Sequence, residues 1–491
     1  MKQPLLCTTV SGATMEALRS ARDAAEGADV VELRLDGVDR PDPAAAIAGR
    51  TRPVIVTCRP QWEGGWFRGS EDERQRLLEA AATSGAEFID VEASASFAGD
   101  LIRSRGGRGT VLSMHTFGPA PSDIADRYQA LKSRGAEVVK LAVEVSALSD
   151  TLPLFELGAA AGRETGEPGH VLVAMGPAGV PTRICAARLG NRWTYAGAGI
   201  APGQIAPARL LREFRFRRVQ PDAALYGVAG NPIYGSLSPA MHNAGFAALG
   251  LNAVYVPLQA REVEDFVRFA RAMGLRGASI TAPFKVALLE HVDHVEPLAR
   301  RVGAINTLVV REGRWIGANT DVDGFLAALV NIRSKGLRAS VLGAGGAARA
   351  VSVALADRGA AVTICARRPD AARPIADLVG GTVGAFPPRS GSWDLLVNAT
   401  TAGSSVDPQN PIAGAPLDGE IVYDLVYAPA ETELLADARR EGCLTIGGLA
   451  MLVAQAERQF ELWTGQRPPA GLFQAAAAPA GAGAGDFVRT P

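Results

Sequence analysis

The stretch RASVLGAGGAARAVSVALADRGAAVTICARR, residues 338–368, has the pattern of an apolar strand, a glycine-rich turn, a helix and a second apolar strand. The turn G-A-G-G-A-A (343–348) stands between the first strand and a helix that begins near Gly346. Such a turn directs backbone N–H groups and the positive end of the helix dipole toward a pyrophosphate. The stretch therefore predicts a nucleotide-binding α/β lobe, although the turn alone is weak evidence in a chain with 55 glycines.

Two neighbouring features support a Rossmann-type lobe. The second strand ends in Ala366-Arg367-Arg368, where the ribose of a bound dinucleotide is recognised. Arginines there suit a 2′-phosphate and hence NADP, whereas an acid would favour NAD; the competing Asp370 lies past a proline. The run DLLVNATTAG (394–403) resembles another strand that ends in small polar residues, as a cofactor-contacting loop should.

The first 200 residues repeat one unit, a short apolar run followed by a helical stretch rich in Ala, Glu and Arg. The runs are PLLCTTV (4–10), VVELRLD (30–36), PVIVTCR (53–59), FIDVEA (88–93), TVLSMH (110–115), VVKLAV (138–143), HVLVAMG (170–176) and WTYAGAG (193–199). Continuous apolar strands separated by helices indicate a parallel sheet covered by helices. Eight units, with no glycine-rich loop after the first strand, favour a (β/α)8 barrel over an open doubly wound sheet.

Polar residues gather at the C-terminal ends of these runs, which is where barrel active sites are built. Glu32 and Arg34 lie in the second run, Arg59 ends the third, His115 ends the fifth and Lys140 lies in the sixth. Glu32 and Arg34 are two residues apart, so both side chains face the barrel interior. Buried charges there must pair with one another or bind a charged ligand.

Lysine is scarce in this chain, with five lysines against forty-five arginines. Lys2, Lys132 and Lys335 lie at the terminus or among polar residues, and we assign them to the surface. Lys140 lies in an apolar strand and Lys285 follows the run TAP. Only an amine can lose its proton near neutral pH, form a Schiff base or transfer a proton. Two such lysines in different halves of the chain predict two active sites.

The barrel residues suit imine chemistry. Burial of Lys140 among arginines favours a free amine that attacks a ketone, and the resulting imine acidifies the adjacent C–H. His115 could take that proton and return it to a leaving hydroxyl, while Glu63 could orient His115. Three arginines suit a carboxylate substrate through forked hydrogen bonds, namely Arg34, Arg59 and Arg183. Elimination and C–C cleavage both remain possible outcomes, and a lone Lys or His at a strand end is structural more often than catalytic.

A second domain follows the basic segment PARLLREFRFRRVQPD (207–222) and opens with the strand ALYGVAG (224–230). Its polar residues lie at strand ends and in shaped loops: Ser236, Ser238, Lys285, Asn306, Asn319 and Asp321. Lys285 and Asp321 together can exchange a proton with a substrate oxygen while a hydride moves at its carbon. The alternative for this pair is a surface salt bridge.

Composition excludes several classes of function. The formal net charge is −1, with no basic or acidic block, which argues against nucleic acid and anionic membranes as partners. The five cysteines form no CxxC pair, and a strand-like segment begins close to Met1, so we expect a reducing, cytoplasmic location. His291 and His294 are three apart with no acid or cysteine cluster beside them, so we expect no metal site.

The first half resembles the type I 3-dehydroquinate dehydratases over residues 4–210. The resemblance depends on the ordered motifs ELR, TCRPQWEGG, SMH, KLAV, PTR and APGQ. It implies a dehydratase barrel over 1–218, with Lys140 as the Schiff-base lysine, His115 as the general acid/base and Glu63 as its partner. It also implies contacts to 3-dehydroquinate from Glu32, Arg34, Arg59, Arg183 and Gln204.

The second half resembles shikimate dehydrogenase over residues 223–466, on the motifs SLSP, TAPFK, GAINT, NTD, GAGGAA, NAT and GLAMLVAQ. The resemblance implies Lys285 and Asp321 as the catalytic pair. It implies shikimate contacts from Ser236, Ser238, Thr281, Asn306, Tyr427 and Gln455. It implies NADP contacts from Gly343, Ala344, Gly345, Gly346, Ala347, Arg367, Arg368, Leu425 and Gly448.

The implied organisation has a substrate-binding lobe over 222–330, completed by a helix over 447–466, and an NADP-binding lobe over 331–446. The Pro/Ala/Gly-rich tail 468–491 is expected to lack stable structure. The whole chain is similar to fused enzymes that dehydrate 3-dehydroquinate and reduce the product, 3-dehydroshikimate, to shikimate with NADPH. A Schiff-base aldolase barrel joined to a quinate dehydrogenase, and a non-catalytic sensor or scaffold, are the alternatives.

Overall fold

The computed structural model describes residues 3–161, 169–197, 199–233, 235–332 and 334–478. The chain separates into two compact units. The first contains the residues up to Leu225 together with 252–274, and the second contains 226–251 together with 275–478.

A sheet of eight parallel strands forms the core of the first unit and confirms the predicted barrel. Strands β1 to β8 are Leu5–Val10, Val30–Arg34, Val54–Thr57, Phe88–Glu92, Thr110–Thr116, Val138–Glu144, Gly169–Met175 and Trp193–Ala196. Each of the eight apolar runs that we predicted overlaps one of them. Strands β1 to β7 follow one another in sequence order, and β8 pairs with β1 in parallel.

The remaining join, between β7 and β8, is made by the side chain of Asn191 and by one backbone hydrogen bond. The side chain of Asn191 accepts from the backbone N–H of Leu172 at 2.8 Å and donates to the carbonyl of the same residue at 2.9 Å. The N–H of Arg192 donates to the carbonyl of His170 at 2.8 Å. These bonds satisfy backbone groups that an open sheet edge would expose.

Helices of the first unit cover the barrel. They are α1 to α8 at Met15–Asp23, Pro43–Ile47, Glu71–Thr83, Ala98–Ser104, Ile124–Lys132, Leu152–Ala161, Val180–Ile184 and Pro207–Arg212. An apolar layer fills the interior, with Cys7, Val30, Ile55, Val111, Val138, Val171, Trp193 and Tyr195 as its buried members. Because strand residues alternate between faces, inward polar residues further along the same strands stand above this layer.

The segment 252–274 groups with the first compact unit. It follows strand β9, Ala224–Gly230, and helix α9, Ser238–Ala248, and it contains strand β10, Ala253–Gln259, and helix α10, Val263–Ala272. The carboxylate of Asp265 accepts from the backbone N–H groups of Leu148 and Ser149 at 2.9 and 2.8 Å. No local sequence pattern predicts this pairing across more than a hundred residues.

Two sheets organise the second unit. The first contains β9, and β11 to β14 are Gly277–Ile280, His294–Val295, Thr307–Arg311 and Arg314–Ala318, in the order β9-β11-β13-β14-β12. The helices of this part are α11 to α13, at Phe284–Ala287, Pro297–Val302 and Asp321–Ala327. The strands are mixed in direction, since β11 pairs with β9 in parallel and with β13 antiparallel.

The other sheet is fully parallel and confirms the predicted Rossmann-type lobe. Strands β15 to β20 are Arg338–Leu342, Ala361–Cys365, Thr382–Gly384, Leu395–Asn398, Ile421–Asp424 and Leu444–Ile446, in the order β17-β16-β15-β18-β19-β20. Helices α14 to α18 are Gly346–Asp357, Pro369–Val379, Glu433–Arg440, Leu449–Thr464 and Leu472–Ala477. The topological switch beside β15 places the glycine-rich turn where such sheets bind nucleotides.

The structure corrects the expectation of an unstructured tail for residues 468–478. Helix α18 lies in this segment, and the Phe473 ring is fully buried with its centroid 5.6 Å from that of Phe460. One buried aromatic anchors a short Ala-rich helix that composition alone does not predict. The rest of the predicted tail, 479–491, lies outside the described residues. No helix in the described ranges is both long and apolar enough to cross a membrane.

Candidate active sites

The Lys140 amine lies inside the barrel among two acids and one aromatic ring. Its Nζ is 3.2 Å from Oδ2 of Asp90 and 3.7 Å from Oε1 of Glu32. The ring centroid of Tyr195 is 4.2 Å from the same atom. Hydroxyls of Thr9 and Thr57 donate to the two oxygens of Glu32 at 2.8 and 2.9 Å, which fixes that carboxylate. The lysine is 5% exposed, so the amine can meet a carbonyl away from bulk water.

His115 and Glu63 form a hydrogen-bonded pair at the same mouth. Nδ1 of His115 is 2.8 Å from Oε2 of Glu63, which leaves Nε2 for a substrate. Burial raises the pKa of Glu63 to about 8 and lowers the pKa of His115 well below its ordinary value. Glu63 ends a short 3-10 helix, and Gly64 follows in a left-handed conformation with φ of 73°. The pair therefore keeps a proton on the carboxyl and a neutral imidazole near pH 7.

Arg59 connects this pair to two acids that our sequence reasoning missed. It donates to Asp90 at 2.8 Å and to Glu92 at 2.6 Å, and it lies 3.5 Å from Glu63. Burial would raise the pKa of Asp90, but Arg59 and Lys140 outweigh it and hold that pKa below its ordinary value. The sequence did contain a signal for these two acids. Asp90 and Glu92 are two residues apart in the strand FIDVE, and the same spacing led us to select Glu32 and Arg34.

The other predicted arginines have different partners. Arg34 makes a double hydrogen bond to Asp36 at 2.9 and 2.7 Å and lies over the ring of Trp66. Arg183 donates only to backbone carbonyls, those of Tyr195 at 3.2 Å and Pro202 at 3.1 Å, and no carboxylate of the described residues pairs with it. Burial alone lowers the pKa of Arg183 to about 10. Within the described chain, Arg183 is thus a buried cation that lacks an anion.

Gln204 completes the barrel group. Its Oε1 accepts from the backbone N–H groups of Ile200 and Ala201 at 3.2 Å each, and its Nε2 is 3.4 Å from the Thr9 hydroxyl. The eight residues predicted for this site thus lie within the barrel strands or in the segments that follow them. The arrangement offers an amine, a histidine for proton transfer and an uncompensated cation for an anionic substrate.

The second predicted pair lies beside a cavity of about 250 Å³ in the second unit. Nζ of Lys285 donates to Oδ2 of Asp321 at 2.5 Å, and Nδ2 of Asn306 donates to Oδ1 of the same carboxylate at 2.8 Å. Asn319 accepts the backbone N–H of Asp321 at 3.1 Å and so holds the start of helix α13. A salt bridge does form, but it lines a cavity and Asp321 is buried, unlike the surface pair of the alternative interpretation.

The predicted substrate contacts line this cavity together. Its walls include Ser236, Ser238, Thr281, Asn306, Tyr427 and Gln455. Two further polar residues that the sequence did not single out, Ser279 and Gln459, line it as well, and Ser279 donates to Gln459 at 2.6 Å. Gln459 lies one helical turn after Gln455 on α17, and that spacing was the available signal.

The glycine-rich turn lies next to this cavity, and its residue Ala347 is part of the cavity wall. Gly343 has φ of 105°, and a Cβ there would stand 3.0 Å from Cγ2 of Thr400, so the turn needs glycine. Gly345 precedes helix α14, and no side chain of the described residues caps its first turn, which leaves its N–H groups for a phosphate. Arg367 and Arg368 are exposed just after β16, as recognition of a ribose phosphate requires. These residues fit a phosphorylated dinucleotide.

Two predicted cofactor contacts, Leu425 and Gly448, also line the cavity. A Cβ at Gly448 would lie 2.1 Å from the carbonyl oxygen of Leu425, so only glycine allows this close backbone approach. Ala347 of the turn lines the same cavity. The nucleotide turn and the Lys285–Asp321 pair therefore border one space.

Comparisons with known proteins agree with this division. The model of the Type I 3-dehydroquinase family matches residues 6–221. The shikimate dehydrogenase substrate binding domain matches residues 228–308, and the shikimate 5′-dehydrogenase C-terminal domain matches residues 448–478.

Individual relatives cover the whole chain or its second half. The chain is 32% identical over 516 residues to the chloroplastic bifunctional 3-dehydroquinate dehydratase/shikimate dehydrogenase of Arabidopsis thaliana, covering 96% of this chain and 84% of that protein. It is 38% identical to a shikimate dehydrogenase (NADP(+)) of Bacillus cereus, over 50% of this chain and 94% of that protein. A crystal structure of shikimate 5-dehydrogenase from Thermus thermophilus with NADP(H) and shikimate aligns with a TM-score of 0.47 and 38% identity, over 52% of this chain and 98% of that one.

Proposed function

Because the chain belongs to the family of bifunctional 3-dehydroquinate dehydratase/shikimate dehydrogenases, we propose that it carries out two successive steps of the shikimate pathway. The barrel dehydrates 3-dehydroquinate to 3-dehydroshikimate. The second unit reduces 3-dehydroshikimate to shikimate with NADPH. The observation that carries the proposal is the placement of each rare lysine beside a proton-transfer group: Lys140 pairs in register with Ser113, two residues before His115 on the neighbouring strand, and Lys285 is hydrogen-bonded to Asp321.

In the barrel, the neutral amine of Lys140 adds to the ketone carbon, and loss of water leaves a protonated imine. Nε2 of His115 removes a proton from the carbon next to the imine, and the electron pair expels the neighbouring hydroxyl. His115 returns the proton to that hydroxyl, which leaves as water. Hydrolysis of the imine then frees 3-dehydroshikimate and the lysine.

The arginines and polar groups of the barrel have binding roles in this proposal. Arg183 takes the substrate carboxylate, since it alone among the barrel-mouth arginines has no carboxylate partner in the described chain. Arg59 and Arg34 are already paired with acids, so their main role is to position the side chains around the barrel opening. Glu32 and Gln204 contact substrate hydroxyls.

In the second unit, bound NADPH supplies the hydride that reduces the substrate ketone. Lys285 donates a proton to the forming alkoxide, and Asp321 keeps the ammonium aligned and is a hydrogen-bond partner for the substrate. Ser236 and Ser238 bind the substrate carboxylate, with Tyr427 beside them. Arg367 and Arg368 give the preference for the 2′-phosphate.

Reduction with borohydride tests the first half. 3-Dehydroquinate and borohydride should leave a covalent adduct on Lys140, located by peptide mass spectrometry. Lys140→Arg keeps the positive charge but cannot form an imine, so it should lose the adduct and the dehydratase activity. Lys335→Arg, at an exposed lysine, is the matched control and should retain both. Wild-type dehydration without any Lys140 adduct would refute the mechanism.

A coupled assay tests the two halves together. Addition of 3-dehydroquinate alone should consume NADPH, because the product of the barrel is the substrate of the second unit. Lys140→Arg should abolish this consumption with 3-dehydroquinate and preserve it with 3-dehydroshikimate. Lys285→Ala should abolish both. A lack of NADPH consumption by the wild type with 3-dehydroshikimate would contradict the second activity.

We also propose the domain boundaries and the cellular location of the protein. We infer limits at 218/222, 330/331 and 446/447 from the motifs. All five cysteines are free and buried, which supports a reducing compartment such as the cytoplasm.

A further inference from the structure

The ring of Tyr195 is an aromatic neighbour of the Lys140 amine, which also has two acids beside it. Asp90 lies 3.2 Å and Glu32 3.7 Å from Nζ, whereas the face of the Tyr195 ring has its centroid 4.2 Å away. Tyr195 is 4% exposed and lies in β8, where it pairs with Cys7 of β1 and meets Trp193 edge-on. The strand pairing and the contact with Trp193 therefore hold the buried ring close to the amine.

A cation this close to an aromatic face is stabilised by the negative charge density of the ring, and more strongly where water is excluded. The two acids act differently, since Asp90 accepts a hydrogen bond from the ammonium at 3.2 Å and Glu32 is an ion-pair partner at 3.7 Å. An ammonium has three N–H groups, whereas a protonated imine has only one. Imine formation leaves a single N–H for Asp90, whereas the attraction of the ring depends on charge alone and is retained.

We propose that Tyr195 stabilises the protonated imine on Lys140 through its ring face, as a further residue of the dehydratase reaction. The inference rests on the proposed Schiff-base function. It assigns the role to the ring and not to the phenol hydroxyl, since the ring faces Nζ. Burial also raises the pKa of this phenol well above its ordinary value, so the group stays neutral and cannot act as a counter-ion.

The charged and titratable groups around Lys140 come from several strands and must be kept constant in a test. They are Cys7, Glu32, Arg59, Asp90 and His115. Substitution at Tyr195 leaves them all in place. It also leaves the bond from Arg183 to residue 195, since that bond goes to the backbone carbonyl.

The test compares Tyr195→Leu with Tyr195→Phe in the full chain. The probe is 3-dehydroquinate with borohydride, and the readout is the rate of adduct formation on Lys140 as a function of pH. Tyr195→Phe keeps the face and should stay within about two-fold of the wild type. Tyr195→Leu should form adduct roughly ten-fold more slowly on the high-pH plateau, where the amine is neutral before it reacts. Its pH of half-maximal adduct formation should also fall, because the ammonium loses the same stabilisation as the imine.

The outcomes separate the possible roles. Slower adduct formation by Tyr195→Leu with an unchanged pH midpoint would indicate a structural role and overturn the inference. Equal defects in both variants would assign the effect to the hydroxyl and overturn it as well. The shikimate dehydrogenase rate of the same chains reports folding of the second unit, and circular dichroism reports the secondary structure of the whole chain. Absence of a wild-type adduct would refute the dehydratase proposal itself, whereas a wild-type adduct with a normal Tyr195→Leu refutes only this inference.

Discussion

Gly346 lies directly against the side chain of Lys285. A Cβ added at Gly346 would stand 2.9 Å from Cδ and 3.1 Å from Cβ of that lysine. The glycine of the nucleotide turn thus leaves room for the proposed proton donor as well as for a phosphate. The proposed cofactor turn and the proposed catalytic lysine share one steric constraint.

Gly346→Ala should therefore damage catalysis through Lys285. The methyl would push the lysine from Asp321, and a displacement of about 1 Å at a catalytic group can cost roughly 100-fold in rate. We expect a fall in kcat for 3-dehydroshikimate reduction, and weaker shikimate binding in calorimetry without any nucleotide present.

Gly345→Ala is the matched control in the same turn. An added Cβ at Gly345 would have no atom of the described residues within 4 Å, and its φ of −90° suits any residue. This variant should change the KM for NADPH at most and bind shikimate normally without nucleotide. Equal shikimate affinities in the two variants would show that Gly346 serves the nucleotide alone.

The pKa of Glu63, raised by burial to about 8, predicts the pH dependence of dehydration. Below this pKa the carboxyl keeps its proton and donates it to Nδ1 of His115, which places the imidazole proton on Nε2. Above it the carboxylate accepts from Nδ1–H, and Nε2 becomes free to act as a base. We expect kcat/KM for 3-dehydroquinate to rise with pH and to level off above the pKa of Glu63.

Glu63→Gln removes the titrating group but can still accept from Nδ1–H. The rise of kcat/KM with pH should then disappear. The rate at high pH should also be lower, because the amide stabilises an imidazolium less well than a carboxylate does. Glu79→Gln, at an exposed glutamate of α3, should keep the wild-type profile. An unchanged rise in Glu63→Gln would assign the ionisation to another group.

Arg74 should be essential to the stability of the barrel. It is fully buried, donates to Glu92 and also holds Glu71 at 2.6 Å. Arg74→Met leaves Glu92 buried with only Arg59 to compensate it, and breaking such a pair costs about 3–5 kcal/mol. We expect the dehydratase activity to be lost at clearly lower urea concentrations.

Arg103→Met provides the comparison, since its pair with Asp100 is 75% and 69% exposed. Exposed pairs contribute about 1 kcal/mol or less. If both variants lost activity at the same urea concentration, the buried pair of Arg74 and Glu92 would contribute no more to barrel stability than the exposed pair does.

Sequence reasoning found the parts of the molecule that local pattern determines. Eight apolar runs specify the barrel, and the glycine-rich turn specifies the nucleotide lobe, because continuous apolar strands and a strand–turn–helix leave few alternatives. Lys140 and Lys285 stood out because an amine is rare in this chain. The same reasoning placed Tyr195 in a strand but gave it no role.

The remaining features depend on contacts between distant residues. Asp265 joins Leu148, and Phe473 joins Phe460, through pairings that no local spacing encodes. Whether an arginine is already neutralised is also decided by the fold. Arg34, Arg59 and Arg183 look alike in sequence, yet the structure gives acids to the first two and only carbonyls to Arg183 among the described residues.

This difference between Arg59 and Arg183 predicts opposite effects of the same substitution. Arg183 is a buried cation without an anion in the described chain, and its charge should destabilise the free protein. Arg183→Met should therefore leave stability unchanged or raise it by about 1 kcal/mol, while it raises the KM for 3-dehydroquinate by roughly 100-fold. Arg59→Met should instead destabilise the barrel by about 3–5 kcal/mol, since it leaves Asp90 and Glu92 short of a cation.

Urea titrations of dehydratase activity and thermal shifts with 3-dehydroquinate measure both effects. The wild type should gain thermal stability with the ligand because the ligand supplies the missing anion, and Arg183→Met should lose most of that gain. Arg183→Lys should recover only part of it, since an ammonium lacks the planar fork that holds a carboxylate. Strong destabilisation of the free protein by Arg183→Met would show that the guanidinium serves the fold through its two carbonyls, and the substrate carboxylate would then need another partner.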